Sequence, residues 1–568
     1  MTNTTDSHNP MPSWLPEGRP MDRVEAITTA LAILSNSGLE PLLNKLERTT
    51  PGRGRHVSFA AMLAASIAFK VQDPKRDVKI ADIARWVSAL APGQLRRLGV
   101  PRGWTYFNFQ TTFKALAEAL EPDGSDRRID SNGTIISVRR PDLLSLDEFA
   151  NSLLSGSWKL RDWRAPLPWT QVQAIDSTDI ETHARARAWT KRPDSLDEYE
   201  PDDSTPNREW NEDPNEWPKI GHLDSRKIVS ADLQARIGWR TKTDGRATNA
   251  FNGYDAHLLV DAGNPGSKFW VPLIRGVTVR PAGSYKAQAG LDLLDSLHGG
   301  IQFDHLTADR GYSHARSEAW AKPLAARGLK YVHDLHTSQR RPHPSDSLPG
   351  AFWLDGTLFP TSLPTRMRKL PGFKARTSRK ERDELLARYD ERAQWAFVPN
   401  RRFDNGDIQY KGPARAGHLR CPNYPPSARL GAHVPRSNCV PGEPCACAAT
   451  KVIPATEGAW ERQQYVYGTT KWAAYYGLRN MVESQNSQLK YWRGSMRRHS
   501  THVFGTTANT LVLVLNCIAV NISMLRDAYG ATDPTRPTST HDVAPQRRRK
   551  PKVTPTHLQP RRRSRTTT

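Results

Sequence analysis

FDHLTADRGYSHARSEAWAKPLAARGLKYVHDL, residues 303–335, decides the fold class. The apolar run Phe303–Ala308 stops at Asp309, a helical stretch follows over Ser313–Arg327, and a second apolar run, Leu329–Leu335, closes the unit. A strand, an amphipathic helix and another strand in succession indicate an α/β sheet. Working outward, three more short apolar runs precede it: QVQAIDST (Gln171–Thr178), AHLLVDAG (Ala256–Gly263) and FWVPLIRGVTV (Phe269–Val279). The sheet is therefore expected to begin near Gln171. Asp176 closes the run Val172–Ile175 as Asp309 closes its own. Carboxylates at the carboxyl ends of strands in an open α/β sheet stand where ligand sites form. An Asp there is also an ordinary turn residue, so each alone carries little weight.

A third carboxylate lies on a helix expected over about Thr469–Tyr491. At about 100° per residue from Tyr476, Arg479, Glu483 and Lys490 fall with it inside an arc of about 60°. Leu478, Met481, Val482 and Leu489 fall on the opposite side and should pack on the sheet. An ordinary solvated Glu–Arg face gives the same pattern. Together, Asp176, Asp309 and Glu483 form a set of hard oxygen donors suited to a pair of Mg²⁺ or Mn²⁺ ions. Two such ions clamp the attacking and leaving oxygens of an in-line phosphoryl transfer. Tyr476, Arg479 and Lys490 would hold the phosphate backbone beside them.

The charge balance supplies the phosphate. The chain has 568 residues, with 81 Lys and Arg against 58 Asp and Glu, a net charge of +23. That surplus points to a polyanion, with nucleic acid first and an anionic membrane second. The longest apolar run, Leu511–Leu525, is broken by Asn516 and Asn521 and is too short for a span of about 20 residues, so a buried core helix is expected. The polar, Pro-rich Met1–Pro20 lacks a signal-peptide pattern, which gives the expectation of a cytoplasmic protein.

At this point the residues resemble a known family. Tyr476-Gly-Leu-Arg479-Asn-Met-Val-Glu483, then six residues to Lys490, is similar to the Tyr-x2-Arg-x3-Glu-x6-Lys signature of bacterial insertion-sequence transposases of the insertion-sequence-4 type. Asp309-Arg-Gly-Tyr312 resembles the second-aspartate motif of that family, Ile175-Asp176-Ser-Thr its first, and Tyr467-Gly-Thr-Thr-Lys-Trp472 the approach to its glutamate helix. The resemblance spans about Gln171–His499, less its insertions. It implies a ribonuclease-H-like core with an Asp-Asp-Glu triad carried by Asp176, Asp309 and Glu483. It implies divalent-metal cleavage at transposon ends, joining of the 3′-hydroxyl to target double-stranded DNA, and a homo-oligomer in the DNA complex. It also implies a large insertion between the second Asp and the Glu, usually built of strands.

The expected organisation is therefore α/β. Residues 1–20 are read as disordered, and 21–165 as a helical N-terminal domain. Within the latter, Lys79–Leu120 is compatible with a helix-turn-helix and equally with a plain bundle. Residues 166–335 carry the first part of the core, with an acidic insertion over 191–225. Residues 336–465 form a Cys-containing insertion, 466–530 the second part of the core with the Glu helix, and 531–568 a disordered basic tail. Asp194–Glu216 has ten acidic residues and Arg208 as its one base; His541–Thr568 has nine basic residues and one Asp.

Four of the five cysteines, Cys421, Cys439, Cys445 and Cys447, fall in the 336–465 segment. Their crowding points to a structural Zn²⁺, although the spacing is not that of two C-x2-C knuckles, and unligated thiols fit the spacing as well. Cys517 is expected in the core. Three rival functions remain beside transposition: a metal-dependent nuclease without strand transfer, a non-catalytic DNA-binding protein derived from a transposase, and a basic RNA-binding scaffold.

Overall fold

The computed structural model describes residues 21–49, 55–121, 127–129, 135–137, 144–162, 170–184, 186–188, 221–223, 226–239, 250–267, 270–373, 378–497 and 500–529. The N-terminal stretch, the acidic segment Asp194–Glu216 and the basic tail lie outside these residues.

The central sheet has six strands: β1 (Val172–Glu181), β2 (Arg236–Trp239), β3 (Ala250–Gly263), β4 (Ile274–Pro281), β5 (His305–Ala308) and β6 (Lys330–His333). The order is β6-β5-β1-β3-β2, with β4 also paired to β3. β1 runs parallel to β5, and β5 to β6. β3 is antiparallel to β1, β2 and β4. Period-two alternation divides the strand residues between two cores. Ala174, Leu258 and Val260 belong to one, and Ile175 and Leu259 to the other.

The first core is covered by helices from both ends of the chain: α1 (Arg23–Ser37), α2 (Phe59–Gln72), α3 (Leu146–Trp158) and, far along the sequence, Thr506–Tyr529. α4 (Lys286–Asp295) covers the second core together with Trp320. The N-terminal helices thus share one core with the sheet and the last helix. Helices Ile80–Ser88, Pro92–Arg97 and Tyr106–Leu120 occupy the segment compatible with a helix-turn-helix.

Thr506–Ala528 is long and apolar enough to cross a membrane, and its apolar window is buried inside the fold. Its asparagines explain why it reads as a core helix. Asn521 donates to Ile274 O and accepts from Ile274 N, satisfying β4 where no further strand pairs with it. Asn151 of α3 does the same at Val277. A buried backbone group left unpaired costs about 1–3 kcal/mol, so these amides let helices seal a sheet edge. Cys517 is fully buried in the same helix.

Two expected helices differ. Ser313–Arg327 is not continuous: it comprises Arg310–Ser313, a 3-10 turn Ser317–Ala319 and Ala321–Ala326. Pro323 is the cause, because in a continuous helix its ring would clash with the carbonyl four residues earlier, at Ala319. The Glu helix is also broken, as described below.

Among its described residues, the segment 336–465 carries two small sheets. His343–Pro344, Ala351–Leu354 and Thr357–Pro360 form one three-stranded antiparallel sheet. Val398–Arg402, Ile408–Lys411 and Thr450–Ile453 form another. Between them lies α5 (Arg379–Ala393), opened by a capping box at Ser378 and Glu381. Asp355-Gly356 makes the two-residue turn of the first sheet, both residues having positive φ, as a tight hairpin requires.

Candidate active site

The strand register brings the two aspartates together. Ala308 of β5 pairs with Ile175 of β1 in a parallel ladder, so the next residues, Asp309 and Asp176, leave the paired segment side by side. Only β5 ends there. β1 continues to Glu181 because its antiparallel pairing with β3 runs on to Gly253, so Asp176 lies within a strand rather than closing one. Asp309 caps the turn after β5, its side chain accepting from Gly311 N at 2.8 Å.

Glu483 comes from the segment after the insertion. The expected single helix consists of α6 (Thr470–Tyr476), a 3-10 turn Gly477–Arg479, α7 (Asn480–Ser487) and a π turn Gln488–Trp492. α7 lies against β1 and β3, with Met481 and Val482 buried beneath it, as the apolar side of the helix predicts. The changes of helical pitch break the uniform 100° count. Arg479 still reaches Glu483, four residues on, with Nη2 2.6 Å from Oε1, and its Nη1 lies 3.6 Å from Asp176 Oδ2. Lys490 does not join this row: its ammonium pairs with Asp179 of β1 at 2.9 Å. Tyr476 stacks on Trp472, with ring centroids 4.7 Å apart, and burial pushes its hydroxyl up to about 12.

α5 positions this helix. Asp390 of α5 accepts from both the backbone N and the hydroxyl of Thr470, at the start of α6. Tyr389 packs on Tyr467, and Gly468, with φ of 82°, leaves room for the Tyr389 ring, which a Cβ there would meet at 2.4 Å. The segment Tyr467–Trp472 therefore packs against α5.

Electrostatics mark Asp176. Burial first, and the neighbouring Asp309 second, push its pKa from 3.8 to about 6, against the pull of Lys286, the Ser177 N–H and Arg479. Strongly perturbed carboxylates of this kind gather at functional sites. The metal-free fold thus holds a carboxylate pair that prefers to keep a proton or gain a cation. Carboxylate oxygens are the donors hard divalent ions take; Asp176 and Asp309 lie together here, and Glu483 is joined to Asp176 through Arg479.

Lys286 was not legible as a site residue. It opens α4, acts on Asp176 and Asp255, and its side chain passes so close to Gly311 that a Cβ there would lie 3.0 Å from Lys286 Cδ and 3.3 Å from Nζ. The glycine of the Asp309-Arg-Gly-Tyr312 stretch is thereby explained by close approach. Tyr312 turns away into the core, its hydroxyl 2.7 Å from His257 Nδ1. Cys421, Cys439, Cys445 and Cys447 lie in the insertion as one separate cluster.

The raised Asp176 pKa has a measurable consequence. Between about pH 4 and 6 the folded, metal-free protein keeps a proton that the unfolded chain has lost. Stability from this group is therefore present at low pH and lost as pH rises through about 6. A shift of about two pH units corresponds to about 3 kcal/mol. Asp176→Asn is expected to exceed the wild type in stability by about 2–3 kcal/mol at pH 7.5 in chelator, with the difference fading towards pH 4. Denaturant unfolding at the two pH values measures it, and an Asn variant less stable at pH 7.5 would contradict the burial argument.

A family model of the transposase DDE domain matches residues 170–522, which include β1, β5 and the Glu483 helix and span the insertion. No curated protein and no solved structure matches the chain.

Proposed function

The chain belongs to the transposase DDE domain family, and on that premise we propose that it binds transposon ends and carries out metal-dependent DNA strand cleavage and strand transfer with Asp176, Asp309 and Glu483. Members of the family are polynucleotidyl transferases that act on DNA and generally use divalent metal ions. The reading is supported most by one observation: Arg479 reaches both Asp176 and Glu483, and Asp309 lies close enough to Asp176 to raise its pKa, so residues distant in sequence are linked through Arg479 and Asp176. The sheet order supports a ribonuclease-H-like core, since three antiparallel strands, β4, β3 and β1, are followed by the parallel pair β5 and β6.

Two Mg²⁺ or Mn²⁺ ions would supply charge stabilisation for the attacking and leaving oxygens of an in-line phosphoryl transfer. The chain's own residues do the rest. The carboxylates carry the site's negative charge, and Arg479 offsets part of it through Asp176 and Glu483. Lys286 adds positive charge beside Asp176, while Lys490, expected to meet the phosphate backbone, is held by Asp179. The protein is proposed to act on double-stranded DNA as a homo-oligomer, in the cytoplasm and away from the membrane. The basic tail would add sequence-independent phosphate contacts.

The test uses DNA carrying the sequences that flank the gene. Purified full-length protein is expected to nick it at the ends of inverted repeats in Mg²⁺ or Mn²⁺, and to bind without cutting in chelator. Metal-independent cutting, or cutting with no relation to the repeats, would reject the proposal.

A further inference from the structure

We propose that the thiolates of Cys421, Cys439, Cys445 and Cys447 hold one Zn²⁺ that staples the segment between Ile408–Lys411 and Thr450–Ile453. This inference does not depend on the transposition reading. The sequence spacing alone is ambiguous; the geometry is not. All four Sγ atoms lie within 4.8 Å of one another. Cys421 Sγ is 3.6 Å from Cys445 Sγ, and Cys439 Sγ is 3.6 Å from Cys447 Sγ. A disulfide would bring two sulfurs to about 2.05 Å, and all four are free thiols. Tetrahedral zinc with bonds of about 2.3 Å separates its sulfurs by about 3.8 Å. The observed spacing therefore matches ligands around a common centre.

The surroundings are those of a closed, structural site. Cys421 and Cys447 are buried and the other two are half-buried. Ser362 Oγ lies 3.1 Å from Cys447 Sγ, and Asn423 Nδ2 lies 3.7 Å from Cys445 Sγ. Hydroxyl and amide donors beside sulfur are the supports that orient thiolate ligands. Asn423 also donates to Val440 O and Glu443 O and accepts from Gly442 N, tying the Cys421 loop to the turn that precedes Cys445.

The segment needs such a staple. From Gly412 to Ala449 its regular structure is one 3-10 turn, Pro425–Arg429, and one isolated β-bridge between Arg420 and Arg436. Loops beyond about 12–15 residues without elements of their own are uncommon inside a compact unit. This one contributes few apolar side chains to the core around Phe352, Phe359 and Trp395, among them Ala414, Leu419 and two of the cysteines. With so little apolar burial, metal ligation is the term that can fix the loop. Zinc and iron both accept four sulfurs in a tetrahedron. A staple moves no electrons, which favours zinc.

The experiment is metal analysis of full-length protein purified without chelator, paired with cobalt substitution. The expected result is about one zinc per chain, released when the thiols are blocked. Exchange with Co²⁺ should then give the thiolate-to-cobalt charge-transfer absorption of a four-sulfur site. Cys445→Ser should lose the zinc and expose residues 412–449 to protease, while Cys517→Ala keeps it. The cobalt spectrum of the wild type decides the matter even where Cys445→Ser fails to fold. Absence of metal together with absence of the cobalt band, iron in place of zinc, disulfides among the four cysteines, or full zinc in Cys445→Ser would each overturn the proposal.

Discussion

Glu483→Gln is expected to lower DNA strand cleavage by at least about a thousandfold while leaving DNA affinity nearly unchanged. The amide keeps the size and helical fit of the side chain but loses the anionic oxygen that a divalent ion requires. Because electrostatic stabilisation of this kind is usually the largest single contribution to phosphoryl transfer, its loss should appear in the rate of the chemical step. Affinity comes mainly from phosphate contacts made by basic residues elsewhere. The substitution should also free Arg479 from its 2.6 Å contact, leaving Asp176 as its carboxylate partner in the triad. Single-turnover cleavage at saturating DNA separates the two effects. A Glu483→Gln protein that cuts at the normal rate would remove Glu483 from the active site.

The second large effect is one of stability. Asp355→Ala should destabilise the insertion by about 3–5 kcal/mol, the cost of breaking a buried ion pair from one side. Asp355 is 2% exposed and Arg392 is fully buried, with Arg392 Nη2 2.7 Å from Asp355 Oδ2. Arg340 Nε binds the other carboxylate oxygen at 2.8 Å. Without the carboxylate, the buried Arg392 guanidinium loses its ion-pair partner, while Arg340 retains Leu370 O and the Tyr389 hydroxyl. The site also has φ of 48°, which alanine adopts reluctantly. Asp355→Asn, whose side chain tolerates that backbone better, isolates the charge, and it should retain most of the loss. Since Arg392 and Tyr389 lie on α5, whose Asp390 caps α6, cleavage should fall as well. Denaturant unfolding monitored by the insertion's tryptophans reads the first effect. An unchanged midpoint for both variants would show that the pair carries no stability.

The same residues show how much the sequence could disclose. The strands His305–Ala308 and Lys330–His333, and the start of the strand at Val172, were legible because short apolar runs ended in polar residues; the continuation of that last strand to Glu181 was not. The pairing of Asp176 with Asp309 follows from the strand register, although Asp176 lies within its strand rather than at its end. The pitch changes around Gly477–Arg479 and Gln488–Trp492 were not legible, because neither carries a strong local signal, and so the contact of Lys490 with Asp179 went unforeseen. Lys286 was one cation among many until α4 and Gly311 brought it to the site. The insertion had no visible period because its strands are two to five residues long and its order rests on Asp355, the Tyr389 ring stack and the cysteine cluster, none of which repeats along the chain.

Joining, rather than cutting, tests the central claim most directly. Wild-type protein, DNA bearing the gene's flanking repeats and a target plasmid are incubated with Mg²⁺, and the junctions are sequenced. The account predicts 3′ ends of the repeats covalently joined to target DNA, with short direct repeats after repair. Cleaved ends that accumulate without any joined product would contradict it and leave a nuclease.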